Sequence, residues 1–198
     1  MSDIEKKFYN EDYWFKNTHL HGEVNGYGLE YYVCKIYRDV IFKINDIPDN
    51  GYIVVLGSNN CVSFNLLCEK YGKERCIGYD IANPTNHEKV IVKNVLDFNS
   101  SDDIPIAFVH NDIGSFPTTP IAKFAAQDWA ARNVIDGGYF LSRNNFNVAK
   151  YPLEQHLERH GFINTHFLGL QPFMDLSCLD PSCIEGHMIS KKNRPKLR

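Results

Sequence analysis

The stretch from Tyr52 to Pro84 constrains the fold more than any other part of this chain. It reads YIVVLGSNNCVSFNLLCEKYGKERCIGYDIANP and begins with an apolar run, Ile53 to Leu56, that ends at Gly57. A polar turn then leads into a segment with helical character, Val62 to Tyr71. A second apolar run, Cys76 to Tyr79, stops at an acid. This order predicts a strand, a helix and a strand of the kind that opens a parallel α/β sheet.

Two residues in this unit indicate a nucleotide ligand. Gly57 ends the first strand, where a residue without a β-carbon lets a ligand approach the backbone closely. Asp80 ends the second strand about twenty residues later, where a carboxylate accepts hydrogen bonds from both hydroxyls of a ribose. A dinucleotide fingerprint needs three glycines, and the turn from Gly57 to Val62 has one. The sequence therefore disfavours a pyrophosphate and favours a ligand with an adenosine and an amino-acid tail.

The rest of the chain continues the alternation of strands and helices. Apolar residues from Leu29 to Ile44 recur at helical spacing, and Pro120 opens a helix that should run to about Val134 and end near Asp136–Gly138. A short helix and five more strands are predicted at Pro152–His160, Val90–Val92, Ile106–Val109, Tyr139–Leu141, Ile163–Leu168 and Glu185–Ser190. The fold class is therefore α/β, with a mostly parallel sheet, helices on both faces and a C-terminal antiparallel hairpin.

The domain organisation follows from where these patterns begin. We expect an N-terminal aromatic and helical cap over residues 1–50 and a nucleotide-binding domain over residues 51–198. The aromatic residues before Gly28, among them Tyr13, Trp14 and Phe15, lack helical spacing. These aromatic residues form either a lid over a bound substrate or an ordinary packing layer on the sheet.

Composition excludes several classes of partner. A formal net charge of −3 gives no overall field for a polyanion, so nucleic acid is a disfavoured partner. No apolar run approaches the ~20 residues of a membrane span, and the N-terminus does not read as a signal peptide, so we expect a cytoplasmic protein. Six cysteines fit a reducing compartment. Cys178, Cys183 and His187 suggest zinc weakly, because a second C-x-x-C pair is missing.

Polar residues follow the predicted strands, and parallel strands end at the same edge of a sheet. Ligands of such sheets bind beyond the carboxyl ends of the strands, so these residues should converge on one crevice. The strand ends carry Gly57, Asp80, Asp97, His110–Asn111–Asp112 and Ser142–Arg143–Asn144.

These motifs, in this order, resemble those of class I S-adenosylmethionine-dependent methyltransferases over roughly Gly26 to Ser190. Within that family the pattern is nearest to the small catechol-type O-methyltransferases. They too have a glycine turn ahead of the first strand, a serine at the position of Ser63, and an acid followed shortly by Asn-Pro, here Asp80 and Asn83–Pro84. The resemblance implies a Rossmann-like sheet and S-adenosyl-L-methionine as the cofactor.

The resemblance also assigns cofactor contacts. It implies that the loop after the first strand touches the methionine part, that Asp80 holds the ribose and that Asp97 reaches the adenine amino group. The residues expected to bind the cofactor are Gly57, Ser58, Asn59, Ser63, Asp80, Ile81, Asp97, His110 and Asn111.

Metal dependence is where the chain departs from the catechol-type pattern. Those enzymes hold magnesium with an aspartate after strand four and an Asp-Asn pair after strand five. The matching positions here read His110 or Asn111, and Arg143–Asn144. An arginine removes a ligand and repels the ion. We therefore expect metal-independent chemistry, with Asp112 and Asn144 as the alternative ligands.

The chemistry implied is methyl transfer, for which the protein aligns the acceptor and removes a proton. His110 is the first candidate base because imidazole titrates near neutrality, and Asp112 is the second. The alternatives are that His110 only lines the adenosine pocket and that Asp112 only caps a turn. We expect a small-molecule or sugar-like hydroxyl as acceptor, no membrane, and a monomer or homodimer. A nucleic-acid or protein methyltransferase and a non-catalytic nucleotide-binding relative remain open.

Overall fold

The computed structural model describes residues 33–58, 61–113, 120–145, 155–170 and 185–193 of the 198-residue chain. The helices are α1 at 33–39, α2 at Val62–Tyr71, α3 at Pro120–Asn133 and α4 at 155–159. The strands are β1 at Tyr52–Leu56, β2 at Cys76–Asp80, β3 at Val90–Val92, β4 at Ile106–Asn111, β5 at Val134–Asn145, β6 at Phe162–Leu170 and β7 at Glu185–Lys192.

The strands form one sheet in the order β3-β2-β1-β4-β5-β7-β6. The first five of these are parallel to one another, whereas β7 runs antiparallel to both β5 and β6. This confirms the predicted fold class. After β3 the chain returns to place β4 on the other side of β1, so the direction of winding reverses between β1 and β4. Ligands of open α/β sheets bind at such a reversal, outside the carboxyl ends of the strands.

Helices cover both faces of the sheet because side chains alternate along each strand. On one face, Phe108 of β4 belongs to a buried cluster with Tyr37 of α1 and Phe64 of α2. On the other face, Val109 belongs to a second cluster with Trp129 of α3 and Leu157 of α4. The two apolar layers hold the sheet edge, and thus the strand ends, in fixed positions.

β5 is much longer than the sequence predicted. Asp136–Gly138 was expected to end helix α3, yet these residues lie inside the strand. The pairing with β4 shifts register, because Ile106 pairs with Val134 and Phe108 pairs with Tyr139. Gly137 has a φ of +83°, which marks an irregularity that a glycine tolerates easily. An Asp-Gly-Gly sequence reads as a turn, and here it forms the irregular part of the strand between Val134 and Tyr139, the residues that pair with β4.

The N-terminal helix is confirmed in the part that the structure describes. Residues 33–39 are helical, and a 3₁₀ turn at Ile41–Lys43 follows, so the regular helix ends before Ile44. The aromatic residues Tyr13, Trp14 and Phe15 lie outside the described residues, and both the lid and the division at residue 50 stay predictions. No helix among the described residues combines the length and apolarity needed to cross a bilayer.

Candidate functional site

The ends of β1, β2 and β4 meet at one edge of the sheet. Leu56, the last residue of β1, pairs with Tyr79 on one side and with Asn111 on the other. The backbone pairing continues beyond the strand, since the amide of Gly57 donates to the carbonyl of Tyr79 at 2.8 Å and the amide of Asp112 donates to the carbonyl of Leu56 at 2.9 Å. The strand ends therefore meet at the reversal between β1 and β4, where the sequence predicts the crevice.

Gly57 turns the chain away from the sheet at this edge. It has a φ of +84°, and a β-carbon there would lie 3.0 Å from the carbonyl oxygen of Asp112 and 3.1 Å from the amide nitrogen of Ile113. The close neighbour of Gly57 is thus the backbone of the chain itself. A glycine is required here by the fold as well as by any ligand that approaches.

A tight turn joins Gly57 to helix α2. Ser58 is buried, and its Oγ has no hydrogen-bond partner among the described residues. The amide of Cys61 donates to the carbonyl of Ser58 at 2.8 Å, and Cys61 adopts the left-handed conformation with a φ of 62°. Ser63 is buried in the first turn of α2. Asn59 lies outside the described residues.

Asp80 and Ile81 stand at the end of β2, beside Gly57. An Asp80 carboxylate oxygen accepts a hydrogen bond from the amide of Ala82 at 3.3 Å, which orients the side chain. Ile81 is 76% exposed, which is unusual for a large apolar side chain next to a buried sheet. An acid with an exposed apolar neighbour suits a ligand that has both hydroxyls and a flat apolar ring.

Asp97 occupies the expected place after β3. It is the last residue of a 3₁₀ turn, Val95–Asp97. The side chain of Asn94 caps this turn by accepting a hydrogen bond from the amide of Leu96. Asp97 is exposed. Its position agrees with a residue that meets the outer end of a ligand lying along the strand ends.

His110 is fully buried near the end of β4. A hydrogen bond of 2.7 Å joins its Nδ1 to the hydroxyl of Tyr37 in α1, and its Nε2 has no hydrogen-bond partner among the described residues. Burial lowers the pKa of His110 to about 4, partly offset by the Asp112 carboxylate and reinforced by the Arg143 guanidinium. The imidazole is therefore neutral at neutral pH, which corrects the expectation that it titrates there.

Asp112, the second candidate base, is paired with an arginine. The Arg143 guanidinium donates to an Asp112 carboxylate oxygen at 3.1 Å, and the side chain of Arg143 is 6% exposed. The ion pair neutralises both charges at the edge of the crevice. Asp112 is therefore more than a cap for its own turn.

His187 joins this cluster, and the sequence did not predict it there. Residue 187 lies opposite Arg143 in the antiparallel pairing of β7 with β5. Its buried ring has its centroid 5.3 Å from that of His110. The only signal in the sequence was its proximity to Cys178 and Cys183, which lie outside the described residues. The zinc site suggested by that spacing stays a prediction, and the ring of His187 lies beside that of His110.

His110, Asp112 and His187 bring possible metal-ligand atoms within 4.8 Å of one another. Arg143 already supplies a positive charge to the carboxylate of this group. A cation added here would displace or oppose a buried guanidinium, which favours a hydrogen-bonded network over a metal centre.

Asn111 points to the opposite side from His110, as alternation along β4 requires. It is fully buried, its side-chain oxygen accepts from the amide of Ile113 at 3.4 Å, and its Nδ2 has no hydrogen-bond partner among the described residues. A buried amide without a partner costs about 1–3 kcal/mol unless a ligand or water satisfies it.

Three unsatisfied polar atoms therefore belong to residues at the ends of β1 and β4. They are Ser58 Oγ, His110 Nε2 and Asn111 Nδ2. Buried polar groups without partners are rare in folded proteins, and each calls for a water or a ligand group. Together with the Asp80 carboxylate, these atoms fit a polar ligand of the nucleoside type.

A separate cavity of about 470 Å³ lies at the opposite edge of the sheet. Its lining includes Asp103, Pro105, Val134 and Lys192, near the amino ends of β4 and β5. Ligands of parallel sheets bind at the carboxyl ends, so this cavity is not the expected crevice.

Comparison with solved structures shows where this fold occurs. A Plasmodium falciparum protein assigned as a ribosomal RNA methyltransferase has a TM-score of 0.59, at 14% identity, over 84% of this chain and 97% of that chain. A SAM-dependent methyltransferase from Archaeoglobus fulgidus has a TM-score of 0.57, at 15% identity, over 82% of this chain and 94% of that chain. The chain has the fold of class I S-adenosylmethionine-dependent methyltransferases.

An O-methyltransferase family protein from Burkholderia thailandensis shares the fold with a TM-score of 0.54, at 11% identity, over 96% of this chain and 64% of that chain. No known protein-family profile and no curated protein sequence matches the chain. Identities this low establish a common fold, and the catechol-type resemblance stays a prediction.

Proposed function

We propose that this chain is an S-adenosylmethionine-dependent methyltransferase that methylates a hydroxyl group of a small-molecule or sugar-like acceptor without a metal ion. The observation that carries the proposal is the set of buried, unsatisfied polar atoms at the β1–β4 reversal, Ser58 Oγ, His110 Nε2 and Asn111 Nδ2. They lie beside an acid at the end of β2, on a sheet whose fold is shared with solved methyltransferases.

The residues proposed to hold the cofactor fall into three groups along the strand ends. Asp80 accepts hydrogen bonds from the ribose, and the exposed Ile81 packs on the adenine, whose amino group meets Asp97. The remaining contacts, to the methionine part and the adenosine, come from Gly57, Ser58, Asn59, Ser63, His110 and Asn111. The backbone turn at Ser58 and Cys61, together with the unpaired atoms of the buried side chains, supports this assignment.

The bound cofactor supplies a methyl group on a positively charged sulfur, which is already activated for direct displacement. The protein has to orient the acceptor, exclude water and take up the hydroxyl proton. The acceptor oxygen gains a bond to the methyl carbon and loses its bond to hydrogen, so a base within reach must receive that proton.

We propose that His110 is this base and that Asp112 assists through the charge it contributes next to the imidazole. For Nε2 to accept a proton, Nδ1 must carry the ring hydrogen and donate it to the Tyr37 oxygen, which the 2.7 Å bond allows. The pKa of about 4 makes neutral His110 a weak base, and the nearby Asp112 carboxylate stabilises its protonated form. His110 thus combines a place in the cofactor site with a role in proton transfer.

Metal independence rests on Arg143. Its buried guanidinium forms an ion pair with the Asp112 carboxylate, which would otherwise be a suitable ligand for a hard cation. Turnover measured in EDTA should match turnover with added Mg²⁺. Activity that appears only with Mg²⁺ would contradict this part of the proposal.

Binding of S-adenosylhomocysteine to the Asp80→Asn variant tests the site. The substitution keeps an oxygen for the amide of Ala82 but removes the charge that the ribose hydroxyls require. Charge-assisted hydrogen bonds contribute about 1.5–3 kcal/mol, so calorimetry should show at least roughly tenfold weaker binding. Asp49→Asn is the matched control, because this fully exposed acid precedes β1 at the opposite edge of the sheet. Equal affinity of the two variants for S-adenosylhomocysteine would show that Asp80 does not bind the cofactor.

The alternatives from the sequence predict different outcomes of related measurements. A non-catalytic nucleotide-binding relative would bind S-adenosylhomocysteine but methylate none of a panel of hydroxyl compounds. A nucleic-acid methyltransferase would retain RNA or DNA in a salt-dependent manner, against the net charge of −3. A protein methyltransferase would label a polypeptide acceptor.

A further inference from the structure

A second cluster of titratable side chains lies away from the crevice, between helices α3 and α4. Asp128 of α3 faces His156 of α4 and His160 in the turn that ends α4. The Nε2 atoms of both histidines lie 3.8 Å from the same Asp128 oxygen, Oδ1. The function proposed above uses none of these residues.

We propose that Asp128, His156 and His160 form a binding site for a divalent transition-metal ion of the zinc class. The three side chains offer ligand atoms that all lie within 4.8 Å of one another. Zinc bonds of about 2.0–2.2 Å to nitrogen and oxygen place ligand atoms about 3.5 Å apart. The 3.8 Å separations of each Nε2 from Oδ1 are close to this value, and side-chain rotations that bring the remaining ligand atoms about 1 Å closer together would close the site around an ion.

The two histidines have the spacing that metal sites on helices use. His156 lies in α4 and His160 follows four residues later in the turn that ends it, so the two side chains project to the same side. Their ring centroids are 4.7 Å apart. The Nε2 of His156 is buried and has no hydrogen-bond partner among the described residues, so no hydrogen bond there competes with a cation.

Neighbouring side chains on α3 hold the carboxylate in place. Arg132, one turn further along, donates from Nε to Oδ2 of Asp128 at 3.0 Å, which leaves Oδ1 directed at the histidines. Phe124, one turn earlier, packs its ring 5.4 Å from that of His156. Arg132 is half exposed, unlike the buried Arg143, so water screens its charge, and its hydrogen bond serves to orient the carboxylate.

The donor set selects the class of ion. Two imidazoles and one carboxylate suit Zn²⁺, Ni²⁺ and Co²⁺, whereas Mg²⁺ and Ca²⁺ prefer oxygen ligands throughout. Three protein ligands leave a fourth position for water. Bound metal would join α3, which follows β4, to α4, which precedes β6, and would stabilise the folded chain by mass action.

Titration of the metal-free full-length chain with Zn²⁺ tests the site, and calorimetry and thermal unfolding are the readouts. We expect one tight site, a rise in the unfolding temperature with Zn²⁺, and no rise with Mg²⁺ at the same concentration. Asp128→Asn and His156→Gln should each weaken Zn²⁺ binding at least tenfold. His166→Gln, which removes an exposed histidine on β6, is the control and should bind Zn²⁺ as the unmodified chain does.

The double variant His156→Gln/His160→Gln makes the test decisive. These side chains are partly exposed, so the fold should persist, which circular dichroism checks. Loss of Zn²⁺ binding and of the visible absorption of bound Co²⁺ in this variant supports the proposal. Unaltered Zn²⁺ affinity in the double variant would place the ion elsewhere, for example at His110 and His187, and would overturn it.

Discussion

The contact between Tyr37 and His110 is the residue-scale feature that matters most for the proposed site. It links the N-terminal helix to the end of β4 across 73 positions of sequence. The ring of Tyr37 also packs edge-on against that of His110, with centroids 5.6 Å apart. One side chain thus fixes the orientation of the imidazole and satisfies one of its nitrogens.

Tyr37→Phe should lower the free energy of unfolding by about 1–3 kcal/mol, because it leaves a buried nitrogen without its partner. Chemical denaturation measures the loss. Tyr139→Phe is the matched control, since the Tyr139 hydroxyl bonds the exposed Asp46 at 2.6 Å, where water replaces it. We expect the control to lose less than about 1 kcal/mol. A Tyr37→Phe variant as stable as the control would show that the hydroxyl does not support His110.

At the scale of elements, the turn between β1 and α2 is set by the strand beside it. Gly57 lies against the backbone at Asp112, so β4 limits which residue can follow β1. The expectation from sequence that Gly57 serves a ligand is therefore incomplete, because a side chain there disturbs the sheet edge even without one.

Gly57→Ala and Gly72→Ala separate conformational strain from crowding. Both glycines have a positive φ, +84° and +89°, but a β-carbon at Gly72 would meet no atom within 4 Å. Gly72→Ala should cost about 1–3 kcal/mol for the backbone conformation alone. Gly57→Ala should cost about 1 kcal/mol more, because the backbone at Asp112 must move. Urea unfolding measures both, and equal losses would contradict the crowding seen at Gly57.

On the scale of the whole molecule, buried histidine makes stability depend on pH. The pKa of His110 is about 4 in the folded chain and about 6.5 when unfolded, so the unfolded chain binds more protons between these values. The contribution of His110 to the free energy of unfolding is fully present above about pH 6.5 and is lost as the pH falls toward 4. Its share of the loss between pH 7 and pH 5 is about 2 kcal/mol.

Urea unfolding at pH 7 and pH 5 measures this dependence. Burial also lowers the pKa values of His87 and His160, which add to the loss with the same sign. His110→Gln should therefore show a shallower pH dependence than the unmodified chain, whereas His166→Gln should keep the original slope. A chain equally stable at both pH values would contradict the burial of neutral His110.

The sequence by itself determined the local elements and the polar residues that follow them. Helix α2 runs from Val62 to Tyr71 as predicted, and β2 ends at Asp80. Periodicity, a turn-forming glycine and a terminal acid are local signals, and local signals set element type and boundaries. The parallel order of the first strands also followed from the alternation of strands and helices.

Only the tertiary structure decided which distant residues meet. β7 inserts between β5 and β6, which brings His187 beside His110 and opposite Arg143. Asp136–Gly138 lie inside β5, between the residues Val134 and Tyr139 that pair with β4, although their composition indicates a turn. The packing of α4 on α3 likewise brings His156 and His160 to Asp128. Strand pairing and helix packing depend on the burial of whole faces, and no short sequence window contains that information.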